Sequence, residues 1–213
     1  MIEPFELELL GGGWERRYRR ARPEVEALPW GTLLPLDEAT AELARAHWTT
    51  AAYQEHATAA ICGEMIRLLA SCRAPLDLIA VASEFPPDEI VHVELCARLL
   101  AELGGASPVL HDPRALAPSA DPELPPLLAA VELAIRVFCV GEAVSVPIIA
   151  ATYKATTGVL PRAILQIILR DEATHGTFGW ALLDWAADRI EPAWRPPSEC
   201  SHRSARGGSR DAS

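Results

Sequence analysis

The chain is short of positive charge: Lys and Arg total 19 against 29 Asp and Glu, a formal charge of −10. That balance disfavours nucleic-acid phosphates and anionic lipid surfaces as partners. No C-x-x-C occurs among Cys62, Cys72, Cys96, Cys139 and Cys200. Such a scattered, odd-numbered set argues against a disulfide framework, a zinc ribbon or a rubredoxin-like iron site. The opening residues, MIEPFELELLGGG, lack the basic flank and long apolar region of a secretory signal, so a cytoplasmic location is expected. The most apolar region, 124–153, is interrupted by Glu132, Arg136, Glu142 and Pro147, which fits a core helix better than a membrane span. Alternating β-branched runs separated by hairpin turns are also lacking, which leaves an all-α fold.

What is present is a long helical text. With 213 residues, 50% of them hydrophobic, the chain can bury one core and reads as one domain with ragged ends. Residues 1–36 form an expected irregular arm that packs through Trp14 or Trp30. Residues 37–190 carry four helical patterns, at 38–71, 75–103, 125–156 and 161–190. Asp37 is a candidate N-cap, Gly104-Gly105 and Gly158 are stops, and Pro75 and Pro161 sit near first turns. The segment ASPVLHDPRALAPSADPELPP has the length and proline content of a crossover running the height of a bundle. Residues 191–213, rich in Pro, Ser, Arg and Gly, are expected to be disordered. Pro86-Pro87 should break or kink the second helix, and Pro147 should bend the third.

Each residue turns a helix by about 100°, so an acid can be assigned to a face by its companions. Glu55 shares a stripe with Trp48, Ala51, Ala59, Cys62 and Ile66, whereas Glu64 falls beside Glu42, Arg67 and Ser71 and faces water. Glu142 lines up with Val131, Ile135, Phe138 and Ile149. Glu172 aligns with Leu165, Ile168, Gly176 and Gly179, whose missing side chains should leave space, and His175 lies one turn along the same face. The second helix carries the matching pair Glu89 and His92. Each half of the chain therefore holds a lone inward Glu followed by an Asp-Glu-x-x-His helix.

A single Glu-x-x-His is common on exposed helix faces, but two of them joined by two inward carboxylates demand compensation. An uncompensated buried charge costs several kcal/mol or more, so a cation is expected among the four carboxylates. Two iron ions (Fe2+/Fe3+), or manganese or a mixed Mn/Fe pair, would in the divalent state offset their charge, with oxygen ligands and one imidazole each. Asp88 and Asp171, one place before each motif Glu, are placed to accept the outer N–H of His175 and His92 respectively. His56, Tyr53, Tyr153, Cys62 and Cys139 read as packing residues, and His47, His111 and His202 carry no motif.

With those residues assembled, the chain resembles the ferritin-like di-iron carboxylate superfamily, which includes rubrerythrin and bacterioferritin. It is most similar to compact bacterial ferritin-like proteins of unassigned function, through YQEHATAA, DEIVHVELCARLL, FCVGEAVS and RDEATHGTFGWALLDWA. The resemblance implies a ferritin-like four-helix bundle with a long crossover, and a non-haem di-iron centre reacting with O₂ or peroxide. It implies Glu55, Glu89, His92, Glu142, Glu172 and His175 as metal ligands, with Glu89 and Glu172 bridging. Ser145 stands where rubrerythrin-like sites add a Glu, Ile168 where arylamine N-oxygenases add a His, and the missing C-x-x-C pairs remove an internal electron donor. The expected function is an oxidoreductase or oxygenase on a small substrate, supplied by an external reductant. The alternatives are a ferroxidase-like iron handler or a metal-free interaction module, and a homodimer is compatible with the pattern.

Overall fold

The computed structural model describes residues 2–113, 120–121 and 123–191. Part of the crossover and nearly all of the expected disordered tail lie outside the described residues. The helices are α1 (Gly12–Arg20), α2 (Pro23–Glu26), α3 (Glu38–Ser71), α4 (Leu76–Ala82), α5 (Phe85–Glu102), α6 (Pro126–Leu133), α7 (Glu142–Ala155) and α8 (Val159–Ala186). A π-helical segment, Ala134–Gly141, joins α6 to α7. Long helices packed side by side make the molecule a helical bundle: α3 lies along α5 and against α6, and α8 lies along α7 and the π segment.

The start of α3 is fixed as its sequence suggests, with the Asp37 carboxylate accepting from the Thr40 amide at 3.0 Å. The second expected helix is divided. A turn at Ser83 and Glu84 separates α4 from α5, and Pro86 and Pro87 fall in the first turn of α5, where missing amide donors leave no intrahelical bond unmade. The break thus comes before the prolines. Leu103 closes α5 and Gly104 follows with φ 90°, the left-handed conformation that a helix stop favours in glycine.

The arm is more regular than expected. It contains α1 and α2, tied to α5 by Arg19–Glu94 at 3.1 Å and Arg98–Glu26 at 3.0 Å. Trp30 is the aromatic that packs, donating to the Val25 carbonyl at 2.7 Å beneath the Arg98 guanidinium, while Trp14 is 68% exposed. The fold is also not wholly helical, since β1 (Glu3–Pro4) and β2 (Leu110–His111) pair antiparallel. Two residues per strand are too few to leave an alternating signature.

The π segment accounts for another departure. Burial there repeats every five residues, in Leu133 and Phe138 and in Ala134 and Cys139, while Ile135 and Val140 are exposed together. An i→i+5 winding produces that spacing, so Ile135, which a 3.6-residue period turns inward, faces out. By length and composition the helical run Pro126–Ala155 could cross a membrane; in the bundle it carries Glu142 to the centre.

The core has two parts. One gathers Met65, Leu69, Phe85, Phe138, Phe178 and Leu182; the other gathers Trp48, Leu95, Leu99, Leu160 and Ile164. On α3, α5 and α8 the boundary between them falls at Glu55, at Glu89 and His92, and at Glu172 and His175, so a polar layer separates two apolar halves.

Candidate metal centre

Glu89, His92, Glu142, Glu172 and His175 are all buried, and Glu55 joins them with a side chain 15% exposed. The two histidines present the same atom to the cluster. His92 Nδ1 lies 3.5 Å from Glu55 Oε2, 3.6 Å from Glu89 Oε2 and 3.5 Å from Glu172 Oε1. His175 Nδ1 lies 3.1 Å from both Glu89 Oε1 and Glu172 Oε2. Glu89 and Glu172 therefore each turn one oxygen toward one imidazole and the other oxygen toward its counterpart. Glu142 completes the His175 side, and its Oε2 accepts from Ser145 Oγ at 2.7 Å.

Donor atoms from Glu55, Glu89, His92 and Glu172 gather within 4.8 Å of one another, as do those of Glu142, Glu172 and His175. Trans donors bonded to one divalent ion at about 2.1 Å stand about 4.2 Å apart, so each set can hold a metal ion after a small contraction. Both Glu89 oxygens and His92 Nδ1 are buried without a well-formed hydrogen bond, which a cation between them would remedy.

The outer imidazole nitrogens face the other half of the molecule. His92 Nε2 is 3.3 Å from Asp171 Oδ2, and His175 Nε2 is 3.6 Å from Asp88 Oδ2. This crosswise geometry is the one drawn from the sequence, although the second distance exceeds that of a hydrogen bond. Arg170 Nε in turn donates to Asp171 Oδ1 at 2.6 Å.

Protons settle the charge of this cluster in the absence of metal. Burial pushes the Glu55 and Glu142 carboxyls up to about 8. Burial alone would raise Glu172 as well, but His175 and His92 hold it down to about 2; Glu89 is lowered by the same two partners. Burial opposes charge on the imidazoles, yet Asp88, Glu172 and Glu89 raise His175 to about 11, and Asp171 and its neighbours raise His92 well above its ordinary value. At neutral pH two ionised carboxylates face two imidazolium ions, and the other two carboxyls stay protonated, so the six groups sum to zero. Four carboxylates with two divalent ions and neutral imidazoles also sum to zero, which makes metals and protons direct competitors here.

Several neighbours escaped the sequence reading. Ser145 sits three residues after Glu142, a spacing that could have revealed its hydrogen bond. Phe85, at the α5 break, packs its ring 4.3 Å from that of His175, and only tertiary structure brings it there. Gly176 and Gly179 do not leave room beside the cluster as expected. A Cβ on Gly176 would meet Glu142 Cβ at 3.2 Å, and one on Gly179 would meet Phe138 Cβ and Cys139 Sγ at 2.8 Å. The glycines instead admit the π segment against α8. Glu64 faces outward and pairs with Arg67 at 2.6 Å. Tyr53 and His56 pack around Phe5, and Tyr153 stacks under Arg162, all as packing residues. Cys62 is buried near the cluster, where burial and the carboxylates of Glu89, Glu172 and Glu142 push its thiol up.

Between α3 and α7 the bundle is open. A cleft of about 600 Å³ runs down to Glu55, Glu142 and Glu172, with Leu165 and Ile168 beside them on the floor. Compared with family profiles, curated proteins and solved structures, the chain matches none.

Proposed function

We propose that this chain is a ferritin-like di-iron protein, an oxidoreductase that reacts with O₂ or peroxide and acts on a small substrate. The observation that carries this reading is the doubled use of Glu89 and Glu172, each aimed at both histidines. Two carboxylates that each face both imidazoles are suited to hold a pair of cations rather than one. Oxygen and imidazole donors fit iron and also manganese, while the sequence offers no C-x-x-C to suggest a thiolate-rich metal site.

Under this reading Glu55 and His92 would hold one ion, Glu142 and His175 would hold the other, and Glu89 and Glu172 would contribute to both. Asp171 and Asp88 orient the imidazoles from outside. Bound ferrous iron would supply electrons to O₂ or peroxide. The apolar halves above and below exclude water from the layer, and the α3–α7 cleft gives a second molecule access, which favours an organic substrate over iron handling alone. Reducing equivalents come from an external donor, and the acidic chain acts in the cytoplasm on neither nucleic acid nor membrane.

Metal analysis tests the reading. Anaerobic loading with Fe(II) should give about two ions per chain, as the donor set of such bundles requires. A ceiling below about one ion would overturn it. On admitting O₂, iron-dependent absorption should appear in the parent chain and in Glu64→Ala, and vanish in Glu172→Ala.

A further inference from the structure

The cleft between α3 and α7 has a character that the metal centre alone does not explain. Its volume, about 600 Å³, falls within the range of small-molecule sites. Trp48 and Ala51 line the α3 wall, and Val144, Ile148 and Ile149 the α7 wall. Val144 and Ile148, 57% and 56% exposed, leave an apolar rim open to solvent.

Polar groups in the cleft are mostly occupied within the protein. Thr58 donates to the Gln54 carbonyl at 3.1 Å, Thr152 to the Ile148 carbonyl at 2.9 Å, and Ser145 to Glu142 at 2.7 Å. Arg136, the cationic residue of the lining, is paired with Glu132 at 3.5 Å. The imidazole and carboxyl side chains of the lining are His47 near the rim and Glu55, Glu142 and Glu172. Two divalent ions held in the layer cancel its four carboxylates. A ligand entering the loaded site meets apolar walls and a floor without net charge.

From this geometry we infer that the cleft binds a neutral, largely apolar small molecule and presents it to the carboxylate layer between Glu55 and Glu142. The inference rests on the metal-centre reading for the presentation step, but binding in the cleft does not require it. The ligand's apolar length lies along Ile148, Ile149 and Ala51, and the end nearest Glu172 is the end exposed to chemistry. Gln54 is the lining amide with hydrogen-bonding capacity for a single polar group.

The test uses the full chain with N-phenyl-1-naphthylamine, a neutral apolar fluorophore, in samples whose metal content is counted in parallel. The fluorophore should bind, and octan-1-ol should displace it at a concentration about ten-fold or more below octanoate or octylammonium. Ala51→Trp and Thr152→Trp fill the cleft from opposite walls, and each should abolish binding while leaving the metal content unchanged. Val159→Ser, which removes an exposed apolar side chain outside the cleft, should leave binding as it was. Binding that survives in both tryptophan variants, or displacement led by octanoate or octylammonium, would overturn the proposal. A protein that takes up less than about one ion per chain on anaerobic Fe(II) loading, yet binds the fluorophore and releases it to octan-1-ol, would remove the di-iron reading and leave the cleft assignment standing.

Discussion

The two halves of the carboxylate layer use the same residue types but are not held equally. On the His92 side, Asp171 is largely buried, lies 3.3 Å from the imidazole and is itself pinned by Arg170 at 2.6 Å. On the His175 side, Asp88 is 40% exposed and 3.6 Å away, and Glu142 emerges directly from the π segment. Glu55 stands in an unbroken helix of 34 residues, whereas Glu142 depends on the close contact of Phe138 and Cys139 with Gly179. One half is therefore fixed by a chain of charged contacts, and the other by how nearly two helices approach. Loss of order should begin on the His175 side.

Glu172 belongs to both halves, so its removal has the largest expected effect. Glu172→Ala should bind neither ion firmly, while Glu55→Ala and Glu142→Ala should each retain about one per chain, as measured by metal analysis after anaerobic loading. Equal losses in all three would show that the halves are not separable. Next, Asp171→Asn should lower metal affinity by about 10–100-fold, the usual effect of removing an imidazole's outer partner. Asp88→Asn should have a smaller effect, and competitive titration against a chelator would rank them.

Backbone contacts give a smaller contrast. Gly179→Ala should destabilise the protein by about 1–3 kcal/mol, because the new methyl displaces Phe138 and Cys139. Gly63→Ala on α3, where an added Cβ has nothing within 4 Å, should stabilise by about 0.5–1 kcal/mol. Chemical denaturation measures both.

The smallest expected effect separates the metal-free state from the loaded one. In the free bundle Glu55 and Glu142 titrate near 8 rather than 4.5, and His175 near 11 rather than 6.5. All three bind protons more tightly folded than unfolded, so stability falls as pH rises from about 4.5 to about 11, most steeply between 6.5 and 8 where all three contribute. Glu172, held near 2, contributes stability above its ordinary 4.5 and loses it only in acid, so it does not oppose this trend. Metal displaces the protons concerned. The gap in Tm between loaded and free protein should widen over that range, with release of up to four protons for two ions: two from the carboxyls and two from the imidazoles.

Much of this was readable in advance because it depends on local periodicity. Apolar companions identify the inward faces of Glu55 and Glu172, the repeated Asp-Glu-x-x-His points to Glu89, and Asp37 marks the start of α3. The convergence of six residues follows once four helices pack by those faces. Glu142 is buried on the face that its apolar companions indicate, but Ile135 of the same stripe is exposed, because nothing in composition distinguishes an i→i+5 turn from an i→i+4 one. The roles of Gly176 and Gly179 were likewise hidden, since the atoms that need their emptiness come from the π segment. The α3–α7 cleft arises from helices that do not pack together, and a sequence does not record a separation.

The π segment also bears on which changes of length the chain can absorb. An i→i+5 turn holds one residue more than an i→i+4 turn, so losing one residue within 134–141 can be taken up by rewinding to an ordinary helix. Residues on either side then keep their faces. The same deletion between Glu55 and Cys62 in α3 has no such slack and would turn everything beyond it by about 100°. The π segment is the place where this chain can shorten by one residue without surrendering the carboxylate that follows it.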